Sequence, residues 1–82
     1  MSEKLIEVHG ILSLVMGDIT VPKSVKLKIK KAIDSLNENN KKEDVIVNQV
    51  LQELDEVAED PNTPSYTRTQ IWSVVSTLES TI

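Results

Sequence analysis

The sequence has no cysteine and no phenylalanine, only two glycines and three prolines, and a single tyrosine (Tyr66) and tryptophan (Trp72). Without cysteine there is no disulfide, no zinc–thiolate site and no thiol nucleophile, and either redox compartment is allowed. Without aromatic bulk, a core has to be assembled from Val, Ile and Leu. No apolar run reaches the roughly 18 residues that a membrane-spanning helix needs. Met1-Ser2-Glu3-Lys4 does not begin a basic region followed by a cleavable apolar stretch, so the expectation is a cytoplasmic protein without a membrane partner. What is present suits one folded domain: 82 residues, 39% hydrophobic and 27% charged. The net charge of −4 disfavours nucleic acid as a general partner while leaving room for a local basic patch.

Apolar residues recur at helical spacing in four segments. The first runs from about Ser2 to about Gly17, with Leu5, Val8, Leu12, Val15 and Met16 on one face. The second begins near Pro22 and reaches about Asn37, with Val25, Ile29, Ala32, Ile33 and Leu36 inward. The third spans about Asp44 to Glu59, with Val47, Val50, Leu51, Leu54, Val57 and Ala58 inward. The fourth spans about Pro64 to Ser80, with Ile71, Val74, Val75 and Leu78 inward. Pro22 and Pro64 each follow a polar turn and are read as belonging to a first helical turn. Thr20, Asn62 and Thr63 are candidate caps, Asp44 is expected to cap the third helix, and Asn37-Glu38-Asn39-Asn40 is a polar break. The β-branched run Val45-Ile46-Val47 could start a strand, but it flows into a helical period. Three short connections favour antiparallel neighbours. The expected fold is all-α, one four-helix domain over residues 1–82, with one hairpin over about 1–40 and a second over about 43–82.

Shifted by about 42 positions, the sequence partly matches itself without a gap. Asp18, Pro22, Ile29 and Leu36 fall on Asp60, Pro64, Ile71 and Leu78; Val8, Leu12 and Val15 fall on Val50, Leu54 and Val57; Lys26 meets Arg68 and Met16 meets Ala58. Two amphipathic hairpins of equal length would align partly by chance. The paired Asp-x-x-x-Pro turns at one offset argue for a duplicated hairpin with an approximate two-fold axis. The segment from Asp60 to Trp72, Asp-Pro-Asn-Thr-Pro-Ser-Tyr-Thr-Arg-Thr-Gln-Ile-Trp, with Asp18-Ile19-Thr20-Val21-Pro22-Lys23-Ser24-Val25-Lys26 upstream, resembles uncharacterised protein family 0147 of small archaeal proteins. The resemblance covers nearly the whole chain. It is looser in the first half, where Lys26 stands in place of the arginine anticipated there. It implies a cytoplasmic four-helix up-and-down bundle and no assigned activity.

Lys23, Lys26 and Lys30 share a face of the second helix, with Lys31 nearby and Leu27 among them, opposite the core face. Such a stripe is a usual phosphate footprint. The third helix ends in acids, Glu53, Asp55, Glu56, Glu59 and Asp60. Antiparallel packing would set these lysines against those acids, offsetting two clusters that each oppose their own helix dipole. The absence of aromatic platforms and of arginines beside the lysines argues against a nucleic-acid contact. Glu56 with Asp60 and Asp55 with Glu59 have one-turn spacing, but they face outward and lack the histidine of di-iron bundles, so no metal and no cofactor is expected. His9, the only histidine, falls at the border of the core stripe, where packing accounts for it better than catalysis. No serine or threonine has an assignable base and orienting carboxylate, and Gly10 and Gly17 are isolated rather than part of a phosphate loop. No catalytic residue is assigned.

Two surfaces are left after the core is assigned. The first helix is apolar almost all round: Ile6 and Leu14 lie off the main stripe, and Gly10, Ser13 and Gly17 form a strip of small residues. Either neighbouring helices of the same chain cover it, or a partner does. In the last helix Arg68 and Trp72 lie one turn apart, close enough for a guanidinium to stack on an indole; Trp and Arg are common hot-spot residues. The expected function is a non-enzymatic protein–protein interaction or scaffold module, with an unknown partner or a second copy on Ile6, Gly10, Leu14, Leu27, Arg68 and Trp72. The alternative is nucleic-acid association through Lys23, Lys26, Lys30 and Lys31.

Overall fold

In the computed structural model, four helices account for most of the residues described, which are 2–38 and 40–80. Met1, Asn39 of the polar break, and the last two residues of the second hairpin lie outside them. The helices are α1 (Glu3–Met16), α2 (Lys23–Leu36), α3 (Glu43–Glu59) and α4 (Ser65–Glu79). No strand occurs among the described residues, and Val45-Ile46-Val47 is helical, the first turns of α3 extending the 3.6-residue period through it.

The helix boundaries follow from the local chemistry. Ser2 caps α1, its hydroxyl accepting the Leu5 N–H at 3.3 Å. Pro22 and Pro64 stand one residue earlier than expected. They are the N-cap residues of α2 and α4, with ψ of 151° and 149°, outside the helical range. Proline offers no side-chain acceptor, and neither helix has a side-chain cap. Thr20 and Asn62 therefore do not cap helices. Asp18 Oδ1 accepts the Thr20 N–H at 2.9 Å and its hydroxyl at 2.7 Å, and Asp60 Oδ1 accepts the Asn62 N–H at 2.8 Å, which shapes both turns in the same way. Thr63 works on the preceding helix: its hydroxyl donates to the Val57 carbonyl at 2.7 Å, satisfying an end group of α3. The N-cap of α3 is Lys42, one residue before the helix, and Asp44 sits inside the first turn, where its carboxylate accepts the Val45 N–H at 2.9 Å.

Each helix has two close backbone neighbours, α1 beside α2 and α4, α3 beside α2 and α4, and the diagonal pairs do not approach each other closely along the backbone among the described residues. Pairs between distant residues set the directions. Lys4 near the start of α1 reaches Ser80 just past α4, Lys28 of α2 reaches Asp60 just past α3, and Arg68 of α4 reaches back to the end of α3. Neighbours are thus antiparallel, an up-and-down bundle of 32 × 21 × 19 Å. The core is wholly aliphatic. Leu5, Val8, Leu12 and Val15 of α1 meet Val25, Ile29, Ala32 and Leu36 of α2, Val47, Val50, Leu54 and Val57 of α3, and Ile71, Val74 and Leu78 of α4. Met16, Ile33, Leu51, Ala58 and Val75, expected inward, are half-buried at its edge. Val21 and Ile46 are additional core members. Val21 lies in the turn before Pro22, where helical periodicity gives no signal.

Candidate interaction surface

Buried aliphatics on one stripe of each helix fix what the other stripes present. On α1 the core stripe leaves Ile6, Gly10 and Leu14 facing out, Ile6 57% and Leu14 71% exposed. A β-carbon built on Gly10 would meet nothing within 4 Å. Neither α2 nor α4 covers this strip, so the intramolecular explanation of the glycine fails. On α4 the outward positions carry hydroxyls and amides, with Tyr66 71% and Trp72 58% exposed; on α2, Leu27 is 58% exposed. Between α1 and α4 runs a groove of about 330 Å³ lined by Ile11, Leu14, Tyr66, Thr69, Gln70 and Ser73. Its α4 side escaped the sequence reading, which tracked apolar residues. The available signal was a lack: from Pro61 to Leu78 the only charged residue is Arg68.

Arg68 does not lie on Trp72. Its Nε donates to the Ala58 carbonyl at 2.8 Å, and its Nη2 to the carbonyls of Asp60 at 3.1 Å and Thr63 at 3.3 Å. A guanidinium there satisfies end carbonyls of α3 and places a positive charge at the negative end of its dipole. The residue is a structural clamp, not an exposed anchor, and Trp72 stands without it. The acids that end α3 thus have a compensating cation, though not one of those expected.

The lysine stripe also differs from the expectation. Lys28, not Lys23, Lys26, Lys30 or Lys31, reaches the α3 acids, its Nζ 2.8 Å from Asp60 Oδ2. The Asp60 side chain is only 8% exposed. Lys28 precedes Ile29 on the flank of α2 that faces α3, whereas Lys26 lies on the other flank, toward α1, where its charge acts on Asp18. Glu53 accepts a hydrogen bond from the buried Ser35 hydroxyl at 2.8 Å. Among the described residues Lys28–Asp60 is the one ion pair, so Lys23, Lys26, Lys30 and Lys31 are not neutralised by one. Both turn aspartates are held below the usual carboxylate range. For Asp60 the chief cause is the Lys28 hydrogen bond, then the Asn62 N–H, against the opposing effect of burial, with the charges of Lys28 and Arg68 adding to the lowering. For Asp18 the Thr20 hydroxyl leads, followed by the Thr20 N–H.

His9 is half-buried, its Nδ1 3.4 Å from the Ser13 hydroxyl one turn on. No carboxylate is within hydrogen-bonding distance of its ring among the contacts described. No three His, Asp or Glu side chains gather closely enough to hold a metal ion among the described residues. No helix among them is long and apolar enough to cross a membrane.

Comparison with known proteins agrees with this architecture. The profile of an uncharacterised protein family, UPF0147, matches residues 1–81. A UPF0147 protein of Methanocaldococcus jannaschii is 38% identical over 68 residues, 83% of this chain and 73% of the relative. One from Thermoplasma acidophilum is 38% identical over 74 residues, 90% of this chain and 84% of the relative. Two crystal structures superpose closely. MMP1188, a protein of unknown function, does so with a TM-score of 0.90, 36% identity and coverage of 95% of this chain and 89% of its own. A UPF0147 protein from Thermoplasma acidophilum gives a TM-score of 0.87, 36% identity and coverage of 94% and 91%.

Proposed function

The chain belongs to uncharacterised protein family UPF0147, and we propose that it acts as a non-enzymatic protein-interaction module of the cytoplasm, built from a duplicated hairpin and engaging either a protein partner or a second copy of itself. The observation that carries this reading is the outward side of α1, where Leu14 and Ile6 are exposed and Gly10 has no intramolecular neighbour. Exposed apolar side chains are ordinary one at a time. A mid-helix glycine beside two of them costs helix stability and gains nothing within the chain. Close approach of another backbone accounts for both. The test is capture of native complexes on the tagged chain, paired with its mass in solution. The reading requires either a salt-resistant partner whose retention is lost with Leu14→Lys and kept with Lys30→Glu, or self-association. A chain recovered alone and monomeric in solution would refute it.

A second reading has its own support: Lys23, Lys26, Lys30 and Lys31 lack ion-pair partners among the described residues. Nucleic-acid association through them predicts binding that weakens steeply with salt. No mobility shift of RNA or DNA at low salt would eliminate it.

A further inference from the structure

Resting on the interaction reading, we infer that the groove between α1 and α4 is a homodimer face, occupied by a second copy of this chain related by a two-fold axis. Charge distribution argues for it first. Sixteen of the 22 charged residues lie between Lys23 and Asp60, on α2, α3 and their connection. From Val8 to Gly17 there is none, and from Pro61 to Leu78 only Arg68, whose guanidinium is held by carbonyls at the end of α3. A chain of net charge −4 repels its own copy. Contact through α2 or α3 would also strip water from several ions, at a cost that pairing seldom repays. The part of the α1–α4 face formed by the second half of α1 and by α4 before Glu79 is where two copies can meet without burying a charge.

Shape points the same way. A two-fold interface must be self-complementary, each copy supplying both a projection and a recess. Here both occur together: Leu14 and Tyr66 project, and the 330 Å³ groove they line with Ile11 and Ser73 lies beside them. Gln70 lines the same groove and buries its Oε1 without a hydrogen-bond partner. That oxygen, like the unpaired Thr67 Oγ1, is closed off inside the chain, so it is not offered to a partner. What favours a second copy is the charge-free surface and its relief. The uncharged part of this face is only a portion of one side of a bundle measuring 32 × 21 × 19 Å, below the ~800 Å² per partner of ordinary stable complexes, so the dimer belongs to the weak, concentration-dependent class.

The test is the mass of the full chain by light scattering and sedimentation from about 1 to about 200 µM. The mass is expected to rise toward twice 9.2 kDa at the upper concentrations, with association unweakened by salt. Leu14→Lys is the decisive variant. Its site is exposed in the folded chain, a lysine in the last turn of α1 suits the helix dipole, and the change lowers the net charge, so general repulsion falls. It is expected to raise the dimer dissociation constant at least about a hundredfold with helicity unchanged. Leu27→Lys, on α2, is expected to leave the dimer intact. A wild-type chain at 9.2 kDa throughout, a dimer that survives Leu14→Lys, or one that dissolves with salt would each overturn the inference. A monomeric wild type that still holds a partner through Leu14 would overturn the second copy alone and leave the interaction reading standing.

Discussion

Replacing Gly10 by alanine is expected to stabilise the folded monomer. Gly10 is in the middle of α1, its φ is negative, and an added β-carbon meets no atom within 4 Å, so the substitution carries no steric penalty. The gain is that of glycine to alanine in a free helix interior, about 0.8–1.0 kcal/mol, chiefly through the lost backbone freedom of the unfolded chain. For a domain of this size each kcal/mol moves the melting temperature by about 4–8 °C, so a rise of about 3–8 °C is expected. The measurement belongs in the Leu14→Lys background, since a dimer would add a concentration-dependent contribution. Thermal unfolding followed by circular dichroism, with urea unfolding beside it, gives the shift. A raised midpoint with an unchanged urea slope assigns the effect to stability alone. An unchanged or lowered midpoint would show that position 10 is not an open helix interior and would remove the physical basis for reading the glycine as a functional cost. In the native background the same alanine should weaken self-association, because it fills the space left for an approaching helix.

The clamp at the end of α3 predicts that Arg68→Ala destabilises by about 2–3 kcal/mol, three carbonyl acceptors losing one charged donor group, while Trp72→Ala, at an exposed position, changes stability by less than about 0.5 kcal/mol; chemical denaturation of the two variants side by side is the check. Asp60 sets an acid limit. Its folded pKa is lowered, so its stabilising contribution is fully present above the ordinary carboxylate value near 3.9 and is lost as pH falls through the lowered folded value. Asp60→Asn should therefore be less stable than the native chain at neutral pH and converge toward it in acid. Parallel curves from pH 7 to pH 2 would contradict the Lys28–Asp60 assignment.

How much of this was legible depended on which physical signal a residue sends. Leu12, Ile29, Leu54 and Ile71 announce their burial by a 3.6-residue period, and prolines at 22 and 64 break that period, so four helices and their order could be read directly. The exact stops could not. Pro22 constrains itself to φ near −60°, a value shared by helix and extended backbone, so only ψ places it at the cap rather than inside the helix. The choice between Lys28 and Lys26 as the partner of α3 was beyond periodicity for a different reason. A helical wheel gives two flanks beside the core stripe but not which neighbour each meets; that depends on the handedness of the bundle. Arg68 shows a third limit. Its wheel position predicts proximity to Trp72, yet a long side chain chooses among acceptors in reach, and unsatisfied end carbonyls of α3 outcompete an indole face in water.

The same accounting isolates where function should reside. Most of the conspicuous polar groups near the two proline turns have a partner inside the chain: Asp18 holds Thr20, Asp60 holds Asn62 and Lys28, Thr63 and Arg68 close α3. Those groups are explained by the fold and ask for no ligand. Leu14, Tyr66 and Gly10 are not explained this way: the first two expose apolar surface, and the glycine carries a helix cost that no contact inside the chain offsets. They lie on the part of α1 after Glu7, which carries no charge, and on the α4 face beside it, on the opposite side of the bundle from most of the ions. Exposed apolar side chains taken singly can be accidents of sequence. An exposed leucine, an exposed tyrosine and a glycine unexplained within the chain, gathered at one end of one uncharged surface, point to a single contact that would cover them, which is why the outward side of α1 and α4, rather than the lysine stripe, is the place to look for a partner.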